Sequence, residues 1–383
     1  MRSPSLLTQI VMVANALVVI IAVGVLQVLP APERRSAPAG SATPATPATP
    51  GASGTADPGG PKGDASEPPA PDLPSADLPP PVTATPEFAR QVKANEAGLV
   101  PVIMYHRIMK KRFASIDRTP AQVRGEMEKL ARDGYVPVTA REFATGKMDI
   151  PAGKHPVVLT FDDGHPSHFA LDEKGMPVAN TAVGIIYQVA RKYPDFRPVA
   201  TFWVNQQPFG LRSRADQARA VQWLTSRGFE VANHTWSHPA LPGMSKKRIA
   251  EQLVRVERML EALGAGPSET LALPFGAMPH PRSSVQRGKW DGTRFGFKGV
   301  FLAGAQPSES PFSKAYDWRA IQRIQSNGKK GECRRWCSQY WLEWLNKHPG
   351  KRYTADGDPE RISIPQELQG NISSKRRQQV NAY

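Results

Sequence analysis

The chain has 383 residues, of which 40% are hydrophobic, so a wholly disordered protein is excluded and one large domain with accessory segments is expected. Its formal net charge of +15 favours anionic partners such as phospholipid headgroups, cell-wall polymers or nucleic acid. Only two cysteines occur, which excludes a disulfide-rich mini-protein and a four-cysteine zinc site. The spacing of Cys333 and Cys337 leaves a disulfide or two buried thiols open.

The first predicted element is the apolar segment Leu6–Leu29, which carries no charged side chain and is long enough to cross a bilayer as a helix. We interpret residues 1–29 as a transmembrane anchor, so that the protein spans the cell membrane once. A cleaved signal peptide is the alternative, although its apolar region is usually shorter. Arg2 before the segment favours a periplasmic or extracellular position for the rest of the chain, whereas Arg34 and Arg35 weaken this orientation.

Residues 30–95 form a Pro/Ala-rich linker that includes an ATPATPATP tract at residues 42–50. A segment with so few apolar side chains cannot offset the entropy lost on ordering, and its prolines favour an extended conformation. We therefore expect a disordered spacer between the membrane and a folded domain at residues 96–368. A polar tail is expected at residues 369–383.

From about residue 96, short apolar segments alternate with segments of helical periodicity, which is typical of an α/β fold. The expected strands are Val100–Tyr105, Val157–Phe161, Val199–Val204, Phe229–Ala232, Leu271–Leu273 and Val300–Leu302. The expected helices are Pro120–Asp133, Thr181–Tyr193, Ala215–Arg227, Ser245–Leu263 and Glu332–Lys347. Domains of this class often close into barrels, whose sites lie at the carboxyl ends of the strands.

The motif TFDDG at residues 160–164 ends one predicted strand. Neighbouring strand residues point to opposite faces, so Asp162 and Asp163 can face one site only if the strand has ended there. Gly164 permits the turn that this requires. One carboxylate can then bind a metal ion while the other remains free as a base; a solvated turn is the alternative.

A second motif, HTWSHP at residues 234–239, follows another predicted strand. Two imidazoles four residues apart can reach one ion, and neutral histidine with a carboxylate suits Zn²⁺ and related divalent ions. The predicted ligands are Asp163, His234 and His238, which leave coordination positions for water and substrate. A polar turn with two unrelated histidines is the alternative.

TFDDG followed by H-x-x-x-H-P resembles the first two motifs of the polysaccharide deacetylases, the NodB-homology family 4 of carbohydrate esterases, over about residues 100–323. The resemblance implies a distorted (β/α) barrel and metal-dependent removal of acetyl groups from N-acetylated sugars. It implies that Asp162 is the general base and that a metal-bound water is the nucleophile. The metal is expected to be Zn²⁺, with Co²⁺ or Ni²⁺ as alternatives.

The leaving amine requires a general acid, and two histidines are candidates. His348 follows a segment of helical spacing and fits a helix terminus better than a catalytic position. His106 ends PVIMYH, which lies upstream of TFDDG and resembles the poly-N-acetylglucosamine deacetylases, in which the motif order is permuted and this histidine is catalytic. We therefore assign His106 as the acid and keep His348 as the alternative.

The third motif departs from the family pattern Arg-x-Pro-(Tyr or Phe)-Gly, because Ala272 occupies the place of the arginine. Pro274 and Phe275 match it, and Phe275 can offer its backbone N–H to an oxyanion and its ring to the acetyl methyl group. Without a cation, the pKa of Asp162 would rise. Arg323 is the candidate replacement.

The sequence thus predicts a membrane-anchored, metal-dependent deacetylase that acts outside the cytoplasm on an N-acetylglucosamine-containing polysaccharide, either a secreted glycan or peptidoglycan. The missing arginine leaves a catalytically impaired carbohydrate-binding relative open. Nucleic acid is not expected as a partner, because no P-loop, helix-turn-helix or zinc-finger spacing accompanies the positive charge.

Overall fold

The computed structural model of the chain describes residues 73–75, 77, 80–330 and 333–383. The predicted membrane segment Leu6–Leu29 and most of the predicted linker lie outside these described residues. Among the helices that are described, none is both long enough and apolar enough to cross a bilayer.

The helices and strands below are those of the described residues. The helices are α1 (Pro86–Gln91), α2 (Pro120–Arg132), α3 (Ala140–Thr145), α4 (Ala182–Lys192), α5 (Arg214–Thr225), α6 (Lys246–Ala262) and α7 (Ser338–Lys347). The strands are β1 (Val102–Tyr105), β2 (Tyr135–Val138), β3 (His155–Phe161), β4 (Thr201–Val204), β5 (Glu230–Asn233), β6 (Thr270–Ala272), β7 (Arg287–Trp290), β8 (Thr293–Gly296), β9 (Gly299–Phe301), β10 (Ile324–Gln325), β11 (Ile362–Ile364) and β12 (Val380–Ala382).

Eight of these strands form one sheet with parallel pairing, in the order β10, β1, β3, β4, β5, β6 and β9, with β2 beside β3. The two ends of the sheet meet at residues 321–325. There Ile321 bridges to Phe301 of β9, and Ile324 pairs with Ile103 of β1. This parallel sheet with its helical connections confirms the predicted α/β class.

Successive residues of the sheet pack into two different hydrophobic clusters, as the alternation of side chains along a strand requires. Ile103, Leu159 and Phe202 belong to a cluster that includes residues of α2, α4 and α5. Their neighbours Val102 and Trp203 belong to a second cluster, which includes buried residues from several strands of the sheet. Because both faces of the sheet are packed, the loops that connect its strands emerge at the two ends of the strands.

The helix α3 covers the amino ends of two strands. Its first backbone N–H groups donate to side chains at the beginning of β4 and β5: Ala140 to Thr201 and Arg141 to Glu230, both at 2.8 Å. A capping box of Thr139 with the side chain three residues later fixes the beginning of this helix. The candidate site lies at the opposite edge of the sheet, which is formed by the carboxyl ends of the strands.

The helix predicted at Glu332–Lys347 is shorter than expected, because α7 begins only at Ser338. Cys337 pairs with Gln325 in an isolated β-bridge, and the hydroxyl of Ser338 accepts the backbone N–H of Asn327 at 3.0 Å. These contacts hold the preceding residues in a turn. Of the two states left open for the cysteines, the structure has a disulfide between Cys333 and Cys337, which precede the helix.

The packed domain extends beyond the predicted limits of residues 96 and 368. At the amino-terminal end, Ala89 of α1 is fully buried, and the Val82 N–H donates to the Gly357 carbonyl at 3.0 Å. At the carboxyl-terminal end, β12 pairs with β11. Segments that look polar in sequence are therefore tied to the domain by backbone hydrogen bonds.

A buried carboxyl group connects these two ends of the domain. Glu96 is 4% exposed, and burial raises its pKa well above the ordinary value. Its two oxygens accept the Tyr353 hydroxyl and the Ser363 N–H, each at 2.8 Å. A buried carboxyl group that loses a donor keeps its desolvation penalty without compensation.

We therefore predict that Tyr353→Phe lowers the free energy of unfolding by about 1–3 kcal/mol. Urea denaturation at 25 °C measures the change. The matched control is Tyr340→Phe on the half-buried face of α7, which is expected to change stability by less than about 0.5 kcal/mol. Equal midpoints for the two variants would show that the Glu96 contact contributes nothing.

Candidate active site

The predicted site residues come together at the carboxyl edge of the sheet. His106 follows β1, Asp162 and Asp163 follow β3, His234 follows β5, and Phe275 lies in the turn after β6. Parallel strands present their carboxyl ends along one edge, so residues far apart in sequence reach the same place.

Four residues of this site have left-handed backbone conformations, which side chains other than glycine rarely adopt. Their φ angles are 76° at Asp163, 68° at Thr235, 53° at His238 and 59° at Phe275. Such conformations cost roughly 1–3 kcal/mol each and persist only where the surrounding contacts impose them. Asn205 supplies part of that restraint, because its side-chain amide donates to the carbonyls of residues 234 and 235, both at 2.8 Å.

Asp163, His234 and His238 form the candidate metal centre. One ligand atom from each lies within 4.8 Å of the others. Asp163 Oδ1 is 3.4 Å from Nε2 of His234 and 3.4 Å from Nε2 of His238. One carboxylate and two imidazoles form a donor set that suits Zn²⁺ and related divalent ions.

The orientation of His234 fits a metal ligand. Its ring is buried, and Nδ1 donates to the Ala272 carbonyl at 2.9 Å. This hydrogen bond leaves Nε2 as the lone-pair nitrogen, and Nε2 is buried without a hydrogen-bond partner among the described residues. Burial lowers the pKa of His238 to about 4, so His238 is neutral, as a metal ligand must be.

Asp162 is held by a bidentate ion pair with Arg323. The guanidinium nitrogens lie 2.7 and 2.8 Å from the two carboxylate oxygens, and both side chains are almost fully buried. Arg323 Nε donates to the Leu302 carbonyl at 2.6 Å, which fixes the plane of the guanidinium. Burial raises the pKa of Asp162, but the charges of Arg323 and His234 outweigh it and lower this pKa to about 2.

Arg323 comes from the segment that joins the two ends of the sheet, between Ile321 and Ile324. It therefore reaches Asp162 from a different segment of the chain than the third motif, which follows β6. Ala272, at the position of the missing arginine, is fully buried in β6, and its carbonyl orients His234.

The structure brings His106, and not His348, to Asp162. His106 Nε2 is 3.9 Å from Asp162 Oδ2, and the His106 carbonyl accepts a 2.8 Å hydrogen bond from the buried ring of His168. Burial lowers the pKa of His106, whereas Asp162 and Asp163 act to raise it. His348 is exposed at the end of α7, where its Nδ1 donates to the Trp344 carbonyl at 2.8 Å.

Pro274 and Phe275 lie in a single 3₁₀ turn after β6. Pro274 is buried, while Phe275 is half exposed and its ring centroid lies 4.7 Å from that of His238. The Phe275 ring therefore forms one wall beside the candidate metal centre.

Two further residues support the site, Asn205 and His168; the sequence does not predict their contacts, and it leaves His168 as a substrate contact or a solvated loop residue, whereas its ring is buried. Asn205 directly follows a predicted strand, and a polar residue at a strand end was the available signal. His168 carries no such signal, because its contact with the His106 carbonyl joins residues 62 positions apart.

Comparison with known proteins adds to this geometry. Residues 149–289 match the family model described as polysaccharide deacetylase. This part of the chain is a polysaccharide deacetylase domain. The matched residues of this deacetylase domain include the three candidate ligands, Asp162 and Phe275, but neither His106 nor Arg323.

Two curated relatives are similar to part of this chain. The chitooligosaccharide deacetylase of Rhizobium leguminosarum bv. phaseoli is 30% identical over 139 residues, which is 36% of this chain and 48% of the relative. The peptidoglycan-N-acetylglucosamine deacetylase of Bacillus cereus is 22% identical over 160 residues, which is 41% of this chain and 50% of the relative. The chain thus spans about half the length of the curated relatives it matches.

A solved structure is also similar to the chain. The Streptococcus pyogenes deacetylase PplD in complex with acetate aligns with 59% of this chain and 91% of its own, with 18% identity and a TM-score of 0.44.

We predict that His234→Ala abolishes stoichiometric binding of Zn²⁺, because it removes one of three candidate ligands and the only one that is fully buried. Elemental analysis after dialysis against Zn²⁺ measures the bound metal per chain. His348→Ala is the control and is expected to bind metal like the wild type. Metal content that is equal in the two variants would contradict the assigned centre.

Proposed function

We propose that this polysaccharide deacetylase domain hydrolyses the N-acetyl groups of an N-acetylglucosamine-containing polysaccharide. It would use a divalent ion, most simply Zn²⁺, held by Asp163, His234 and His238. The observation that carries the proposal is Asp162, a buried carboxylate that Arg323 keeps ionised beside those ligands. A charged carboxylate next to such a centre is suited to be a general base.

The substrate class is supported by the names of the two curated relatives, which refer to chitooligosaccharide and to N-acetylglucosamine in peptidoglycan. Both substrates are N-acetylated glucosamine glycans. The proposal takes from them the shared chemical group, the acetamide on a sugar ring, and not the particular polymer.

When bound, the ion would polarise the acetyl carbonyl and lower the pKa of water. Asp162 accepts the proton of the attacking water, and its two hydrogen bonds with Arg323 fix the direction of the carboxylate. Phe275 donates its backbone N–H to the carbonyl oxygen as negative charge develops there.

His106 would protonate the leaving amine, because an amine leaves poorly without a proton. Its Nε2 lies 3.9 Å from Asp162 Oδ2, so the proposed acid and base lie side by side at the same site. The hydrogen bond from His168 to the carbonyl of His106 holds the backbone of the acid in place.

The alternative of a non-catalytic carbohydrate-binding relative rested on the alanine at position 272. Arg323 supplies a guanidinium to Asp162 from another segment of the chain, so the alanine no longer favours a loss of catalysis. For location, we propose a position outside the cytoplasm, supported by the apolar segment Leu6–Leu29 in the sequence.

We predict that wild-type protein releases acetate from an N-acetylglucosamine oligosaccharide, and that a chelator stops the release and added Zn²⁺ restores it. Asp162→Asn is expected to lower kcat by about 10²–10⁴-fold on the oligosaccharide and on 4-nitrophenyl acetate, because both reactions need the base. His106→Ala is expected to lower kcat only on the oligosaccharide, since 4-nitrophenolate leaves without a proton. An Asp162→Asn protein with wild-type kcat would refute the proposal.

We predict that Arg323→Gln moves the acid limb of the kcat/KM profile to higher pH. Without the guanidinium, burial raises the pKa of Asp162, and the base works only above its pKa. At pH 5, kcat/KM is expected to fall by at least about tenfold. Arg323→Lys retains a positive charge, so the acid limb of its profile should lie between those of the wild type and of Arg323→Gln.

Arg319→Gln, an exposed arginine four residues earlier, is the matched control and should leave the profile unchanged. Circular dichroism spectra of each variant separate a shifted profile from loss of fold. An acid limb at the wild-type pH in folded Arg323→Gln would show that Arg323 does not tune the base.

A further inference from the structure

Two loops at the carboxyl edge of the sheet carry a large share of the positive charge of the chain. They span residues 107–118, after β1, and residues 328–337, after β10, and we call them the paired loops. Their sequences carry net charges of +4 and +3, out of +15 for the whole protein. Charge of one sign in two short segments creates a local field that attracts anions.

The first loop contacts Gln325 and Asn327, which come just before the second loop in the chain, so the two loops are neighbours. The Ser115 carbonyl accepts the side-chain amides of Gln325 at 3.3 Å and Asn327 at 2.8 Å. Arg118 donates to the Asn327 side-chain oxygen at 3.2 Å. The charges of the two loops therefore act together.

The first loop starts at the catalytic edge, directly after His106. The Ile108 N–H donates to Ser167 Oγ at 2.9 Å, which attaches the loop to the segment that follows the TFDDG motif. At about 3.3–3.6 Å per residue, the tip of the loop at Phe113 lies within about 25 Å of His106, a distance spanned by a short run of sugars.

Each loop exposes some of its charged and aromatic side chains. Buried Asp117 accepts the N–H groups of Phe113 and Ala114, and the Phe113 side chain is 72% exposed. In the second loop, the disulfide closes a turn that exposes Trp336 by 49%. Six cations of the paired loops are exposed: Lys110, Lys111, Lys329, Lys330, Arg334 and Arg335.

Aromatic rings also occur on α7, which directly follows the second loop, and one of them donates to the segment that packs beside the Phe275 turn. A Cβ at Gly276, next to Phe275, would lie only 2.3 Å from the Ala303 nitrogen, so the turn after β6 touches the segment at residue 303. Two residues later, the Ala305 carbonyl accepts the indole N–H of Trp341 at 2.8 Å. On α7, the Trp341 ring is 5.3 and 5.7 Å from those of Tyr340 and Trp344.

We propose that the paired loops bind carboxylate groups carried by the glycan strand that enters the active site. The inference rests on the proposed function, according to which a glycan chain is bound as the substrate. The planar guanidinium groups of arginine match planar carboxylates, and this positive charge would not increase the affinity for a neutral glycan. Exposed aromatic and basic residues also occur at membrane surfaces, but the first loop begins directly after His106, which favours a polymer that contacts both this surface and the active site.

The test measures equilibrium binding with the full chain loaded with Zn²⁺, in which Asp162→Asn prevents turnover. The probes are peptide-free chains of alternating N-acetylglucosamine and N-acetylmuramic acid, as the free acid and as the methyl ester. The two probes differ only in charge. We expect the free acid to bind at least about tenfold more tightly than the ester at low ionic strength, as calorimetry measures.

The loop variant combines Lys110→Gln, Lys111→Gln, Arg334→Gln and Arg335→Gln. It is expected to bring the ratio of the two dissociation constants close to one. The control variant removes the same number of exposed charges elsewhere: Lys147, Arg361, Lys375 and Arg377, each changed to Gln. It is expected to keep the wild-type ratio.

Equal binding of acid and ester, or an equal loss in the loop and control variants, would overturn the proposal. Anionic vesicles or duplex DNA that bind the paired loops as tightly as the free acid would assign them to another partner and overturn it too. Acetate release by the wild type separates the two claims. If the protein binds the free acid selectively but releases no acetate, the carboxylate subsite stands and the proposed function is refuted. If it releases acetate but binds acid and ester equally, the proposed function stands and the carboxylate subsite is refuted.

Discussion

The ion pair between Arg323 and Asp162 is the interaction on which the candidate active site depends. Both groups are buried, so neither is stable there without the other, and loss of one partner would leave an uncompensated charge in the interior. Arg323 also lies where the ends of the sheet meet, with its Nε bonded to the carbonyl of Leu302 just after β9. One side chain thus lies where the sheet closes and also fixes the direction of the Asp162 carboxylate.

The ligand set could be predicted from sequence because its information is local. Asp163 and the two histidines each follow a short apolar segment, and parallel strands bring such positions to one edge. The partner of Asp162 could only be named as a candidate, because the pair joins residues 161 positions apart and no local pattern encodes it. The same holds for β10, whose two residues are too few to give a periodic signal.

The limits of α7 and of the domain were set by contacts that the sequence does not display. The helical spacing of the tryptophans continues naturally toward Glu332, but a bridge from Cys337 to Gln325 keeps the preceding turn out of the helix. Residues 80–95 have a composition typical of a linker, yet Thr85 caps α1 and Ala89 is buried. Short segments of mixed composition acquire structure from the surface on which they pack.

The left-handed backbone at Asp163, Thr235, His238 and Phe275 has a consequence for how the protein tolerates change. These positions hold conformational energy that the rest of the domain must supply. Random substitutions that weaken distant packing would therefore unfold these four positions locally before the sheet itself unfolds. Variants selected only for robustness to heat would tend to relax the same four residues and lose the arrangement of side chains that they maintain.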